Sequence, residues 1–254
     1  MSVAGGGKGK EMSFWDHLEE LRGTLFRSIL ALCLFAILGF IFKDPLFRVI
    51  FRPASPDFAI YRLLGWDFSM EMINVEMAAQ FFVHLQAAFG AALILAFPYL
   101  VWEIWRFVVP ALYDNERKAI GGAFLMATGF FYMGVAAGYF LVLPACVQFF
   151  LNYSVSPLVS NSITISSYMS MFTSTVLLVG VSFEFPTVIW ALSRIGLLDR
   201  ATLRKGRRYA VVAVLVLAAI VTPADPLSMI VVAAPLYLLY EISILMCPRS
   251  NDID

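Results

Sequence analysis

Residues 194–222 read RIGLLDRATLRKGRRYAVVAVLVLAAIVT, and this stretch decides the fold. Arg194, Arg200, Arg204, Lys205, Arg207 and Arg208 crowd its first half, and no charge follows until Asp225. A basic segment abutting an uncharged apolar run is the pattern of a cytoplasmic loop entering a membrane span. Working outward, further apolar blocks fall at 25–42, 81–106, 119–143, 168–193 and 227–246, beside this one at 209–222. If the chain crosses at each block, one side collects fourteen of the eighteen Lys and Arg residues. The other four, Lys43, Arg48, Arg52 and Arg62, share a single outer loop. The expected fold is therefore all-α: a polytopic integral membrane protein with six transmembrane helices, both termini in the cytoplasm.

Composition agrees. The chain of 254 residues is 61% apolar, 15% aromatic and only 14% charged, against about 25% charged in soluble domains. Six spans and their loops use up that length, leaving no room for a soluble enzyme domain. Residues 1–12 are expected to be a flexible, glycine-rich tail, 13–246 a single membrane domain, and 247–254 a short cytoplasmic tail. Zero formal net charge gives no reason to expect a nucleic-acid partner. Cys33, Cys146 and Cys247 are scattered among apolar neighbours and read as packing residues.

Locally, SFWDHLEELRGT (13–24) has the apolar spacing of an amphipathic surface helix, with span one following from Leu25. The loop 43–76, rich in proline and aromatics, suggests a structured cap with short helices. Span three is expected to stop at Pro144, span four to kink at Glu184 and Pro186, and span six to break at Pro235. Between Arg208 and Pro223, span five measures only about 21 Å, short of a hydrocarbon core of about 30 Å. Such a short pair thins the bilayer or needs partner helices beside it, unless snorkelling arginines extend it.

There is no GxSxG, HExxH, glycine-rich phosphate loop or CxxC. No catalytic residue, metal or cofactor is expected, and His17 and His84 read as polar surface or interhelical groups. Glu184 lies in an apolar run, where an ionised carboxylate is costly unless paired, solvated or protonated. It reads either as a contact for a partner helix or as a neutral group bonded within the bundle. Glu103 near the inner end of span two could snorkel, pair with Arg106, or meet a partner, and Glu241 is similar. Asp225 suits a helix cap at the outer turn. Glu20 and Glu116 lie at the cytoplasmic surface, the latter in a short loop opened by Pro110. Two carboxylates at one surface can receive a basic peptide, because they pair bidentately with guanidinium groups.

Those motifs resemble the TatC family, core subunits of the twin-arginine protein translocase. The resemblance rests on HLEELR (17–22), Pro53, FVVPALYDNER (107–117), FYMG (131–134), SFEFP (182–186) and TPAD (222–225). It implies a receptor in a bacterial-type inner membrane that binds signal peptides of folded cargo, with export driven by the proton-motive force. Carried over by motif, Glu116 and Glu20 would meet the arginine pair, with Arg22, Leu25 and Phe107 supporting them. Glu184 and Glu103 would be intramembrane polar contacts, and Pro53, Pro110 and Asp225 structural or hairpin residues. The implied partners are the single-span subunits TatA and TatB, docking on spans five and six, and further copies of the chain in a homo-oligomer. The chain departs from the family pattern at Gly23-Thr24, Ala224 and Met229. The alternative from a different class is a proton-coupled small-molecule secondary transporter, with Glu184 as its ion site.

Overall fold

The structure, a computed structural model, describes residues 14–66, 70–108, 117–156, 158, 161–194, 198–221 and 226–247. Helix α1 (Phe14–Ile41) runs without interruption. The expected surface helix and span one are thus one rod, because no proline intervenes and Gly23, at their junction, costs only about 1 kcal/mol. A cap follows, made of α2 (Lys43–Phe51), a 3₁₀ turn (Arg52–Ala54) and α3 (Ala59–Leu64), which ends on Gly65 in the left-handed region. Strand β1 (Met72–Ile73) leads to α4 (Ala79–Val108), which passes through Pro98.

Helix α5 (Arg117–Ala137) does not stop at Pro144. It widens into a π turn (Gly138–Val142) and continues as α6 (Leu143–Asn152). Proline is tolerated there because it sits at the second position of α6, where the wider turn has already displaced the regular hydrogen-bond ladder. Strand β2 (Ile163–Thr164) pairs in parallel with β1. Helix α7 (Ile165–Ser182) is capped by the Thr164 hydroxyl, which accepts from the Ser167 amide at 3.1 Å. A turn at Phe183–Glu184 separates it from α8 (Phe185–Arg194), the kink expected at Pro186. Helix α9 (Arg200–Lys205) is capped by Asp199, which accepts the Thr202 amide at 2.7 Å. That contact and the Thr202 hydroxyl hold the Asp199 carboxyl below its usual range. Helices α10 (Arg207–Val221) and α11 (Pro226–Met246) complete the chain, and α11 runs through Pro235 instead of breaking.

Among the described residues, four segments are long and apolar enough to cross a membrane: His17–Ile41, Ala79–Phe107, Phe124–Asn152 and Ile165–Ser193. Helix α10, with 15 residues, is short as expected. Large apolar side chains such as Phe26, Ile220 and Leu245 are about 70% exposed, as suits a lipid-covered surface.

Three buried clusters hold the bundle. One joins the cap to α4, α6 and α7 through Phe58, Tyr61, Leu143 and Tyr168. The second packs α7 against α10 and α11, and the third ties α8 and α9 to α11. Helices α5 and α7 meet at glycines. A Cβ on Gly134 would lie 2.6 Å from the Phe183 Cβ, and one on Gly180 would lie 2.9 Å from a Val135 methyl. Such small-residue contacts let backbones approach where lipid supplies no hydrophobic drive. Cys146 and Cys247 are buried, but Cys33 is exposed on α1 and packs no core.

Pro53 explains the cap. It has no amide to donate to the Val49 carbonyl, which accepts the Arg52 amide and the Tyr139 hydroxyl (2.7 Å) instead. Tyr168 donates to the Ile50 carbonyl at 2.7 Å, and Tyr61 to Pro53 at 2.8 Å. Burial also raises the Tyr61 hydroxyl above its usual pKa, so it stays a donor.

Candidate functional site

One face of α1 carries His17, Glu20, Thr24 and Arg27, at spacings of three and four residues. Both ends of this row touch α4. The His17 ring stacks on Phe107 with centroids 4.3 Å apart. Ten residues on, Arg27 donates to Glu103 Oε2 from Nη2 at 2.8 Å and from Nε at 2.9 Å. Glu103 is 2% exposed. Its other oxygen accepts the Tyr99 hydroxyl at 3.0 Å, and Arg27 also donates to Thr24 Oγ1 at 3.3 Å. The carboxylate is therefore both neutralised and hydrogen-bonded, as burial requires. Its ion-pair partner is Arg27 across the helix interface, not Arg106 on its own helix.

Glu20 sits between the two tethers. Its Oε2 is buried with no hydrogen-bond partner among the described residues. Arg22 and Leu25 lie on the exposed side of α1, Leu25 at 59% exposure. The structure thus brings Glu20, Phe107 and Glu103 to one α1–α4 seam and leaves Arg22 and Leu25 on the exposed face of α1, away from it. Glu116, Pro110 and Asp225 lie outside the described residues. Sequence reading missed Arg27, Tyr99 and the stacking role of His17. The only available signal was the i,i+4 spacing of Tyr99 and Glu103.

Glu184 occupies the turn between α7 and α8, half-buried. Its Oε1 is buried without a hydrogen bond among the described residues, and its polar surroundings are Thr187 and the Phe131 backbone. Glu241 on α11 accepts from Arg207 Nη2 at 2.7 Å and from the Tyr237 hydroxyl at 3.1 Å. Pro53 is buried in the cap. His84 stacks on Phe40 with centroids 4.0 Å apart, an interhelical position. Among the described residues no three His, Cys, Asp or Glu side chains converge as metal ligands do.

Membrane-length helices joined by buried polar tethers define the class: a polytopic helical membrane protein, built to hold charge at helix seams. The family model described as Sec-independent protein translocase protein (TatC) matches residues 16–235, and the chain belongs to that family. It is 36% identical over 250 residues to the TatC protein of Blattabacterium sp. subsp. Periplaneta americana, covering 92% of this chain and 94% of that one. The Deinococcus radiodurans TatC protein is 34% identical, over 91% of this chain and 84% of its own length. A crystal structure of the twin-arginine translocase receptor TatC in DDM superposes with a TM-score of 0.78 at 29% identity, covering 91% of this chain and 99% of that chain. This is a translocase family, not an enzyme family, and it leaves the solute-transporter alternative without support.

Proposed function

We propose that the α1–α4 seam receives the arginine pair of twin-arginine signal peptides, so that the chain acts as receptor and core subunit of Sec-independent export. The observation that carries this is the buried, unpartnered Oε2 of Glu20 beside the His17–Phe107 stack. A guanidinium can give that carboxylate two parallel N–H bonds while its plane lies on an aromatic face. A lysine ammonium offers neither. By family motif Glu116 supplies the second carboxylate, with Pro110 opening its loop, and Arg22 and Leu25 support the site from the exposed face of α1. Asp225 caps the last hairpin.

The one-sided basic segments support a topology of six crossings with both termini in the cytoplasm, and the family supports a bacterial-type inner membrane as its location. Exposed Val212, Val216 and Ile220 form an i, i+4, i+8 stripe on the short α10, which suits docking of the single-span TatA and TatB. Glu184 meets inserted helices from the concave side, the receptor complex is a homo-oligomer, and the proton-motive force drives export.

The test is binding of a fluorescent signal peptide to the purified chain in nanodiscs. The arginine-pair peptide should bind at least tenfold more tightly than its lysine-pair counterpart, each lost bidentate contact being worth about 1.5–3 kcal/mol. Glu20→Gln and Glu116→Lys should erase that preference while the protein stays folded. Equal, salt-sensitive binding of both peptides would overturn the assignment. Glu184→Ala should spare peptide binding and impair partner assembly; failure of that variant to accumulate would make Glu184 structural.

A further inference from the structure

The four basic residues on the outer side all lie in the cap, against the general bias of the chain. Two of them border a cavity of about 790 Å³ between the cap and the π turn after α5. That volume is within the usual range for a ligand site of roughly 300–1,000 Å³. Arg52 and Arg62 stand on its rim, and its walls include Val49, Leu63 and Phe140. These three are 56%, 80% and 48% exposed, so the walls are apolar yet uncovered. Arg62 is paired with Asp57, another lining residue. Arg52 is exposed and has no carboxylate partner among the described residues.

The depth of the cavity identifies what can reach it. The cap begins at Lys43, directly after the span His17–Ile41 ends. The Arg52 and Arg62 side of the cavity therefore lies at the membrane interface opposite the basic loops, where lipid phosphates lie. The exposed apolar walls beside it suit an acyl chain.

We propose that this cavity binds an anionic phospholipid, its phosphodiester on Arg52 with Arg62 beside it, and one acyl chain along Phe140 and Leu63. Basic pockets at the membrane interface recognise lipid headgroups by this combination of charge and apolar wall. The apolar wall selects a lipid over a free phosphate. The bound lipid offsets the charge that the cap carries on the outer side. The orientation given above serves only to name the leaflet; binding itself does not depend on it.

The test uses the full chain, delipidated in a maltoside detergent and offered equal phosphatidylglycerol and phosphatidylcholine, with retained lipid read by native mass spectrometry. Phosphatidylglycerol should be retained about fivefold over phosphatidylcholine, the effect of one interfacial basic residue. Arg52→Gln should abolish the preference without lowering the melting temperature in lipid-free detergent, and Arg52→Lys should keep most of it. Equal retention of the two lipids by the wild type, or undiminished preference in Arg52→Gln, would overturn the proposal. So would retention of glycerol 3-phosphate equal to that of phosphatidylglycerol, since the site would then take a free phosphate. Because peptide recognition is read at the opposite end of the bundle, loss of this site leaves the receptor assignment standing.

Discussion

The α1–α4 and α10–α11 pairs use the same three side chains in different surroundings. In each, a glutamate gives one oxygen to an arginine on the other helix and the second to a tyrosine one turn earlier on its own helix. At Glu103 both an Nε and an Nη2 donate, and the glutamate side chain is 3% exposed. At Glu241 a single Nη2 donates, and that side chain is 34% exposed. The difference shows that the pairing chemistry does not set its own value; access to solvent does. A buried carboxylate that loses its partner keeps its desolvation cost, whereas an exposed one recovers hydration.

The largest effect should come from breaking the buried pair. Arg27→Leu should destabilise the chain by about 2 kcal/mol, below the usual cost of an orphaned buried charge because Arg27 is itself partly exposed. In a thermal melt in detergent this is roughly 4–8 °C. The exchange Arg27→Glu with Glu103→Arg should recover more than half of the loss; no recovery would mean the effect is steric. Next, Arg207→Leu should cost under about 1 kcal/mol, or less than about 4 °C. Raising salt from 0.15 to 1 M should shrink that loss while leaving the Arg27→Leu loss unchanged. Equal losses at both pairs would remove exposure as the deciding variable. The smallest effects should be those of Tyr99→Phe and Tyr237→Phe, about 1 kcal/mol or less, with Tyr99 the larger.

The two pairs also mark where sequence reading ends. Hydrophobic runs and the lopsided basic residues reveal the helices and the class, since both follow from what lipid and membrane charge permit. Proline is a poorer guide. Pro186 does interrupt its span, but Pro144 and Pro235 do not, because a π turn or neighbouring helices can absorb a missing amide. Glu20 was legible as an acid at the inner end of span one. The partner of Glu103 was not, since it comes from 76 residues away and no spacing on α4 points to it. The Tyr–Glu halves of both tethers are visible as i,i+4 pairs. The arginine halves depend on how helices pack, and that is written in shape, through contacts such as Gly39 against Ala88.

That separation along the chain also becomes a separation in time during synthesis. At about 5–20 residues per second, roughly 4–15 s pass between the making of Arg27 and of Glu103. The corresponding wait between Arg207 and Glu241, 34 residues apart, is only about 2–7 s. Until its partner arrives, the Arg27 cation on α1 lacks the Glu103 carboxylate and is drawn to the nearer membrane interface. Chains arrested before residue 103 should therefore hold α1 displaced toward its N-terminal side, with a cysteine at position 28, beside the retained Arg27, open to aqueous maleimide. Completion of α4 should draw the helix inward and close that position. Helix α1 should thus take its final depth only after α4 has been made.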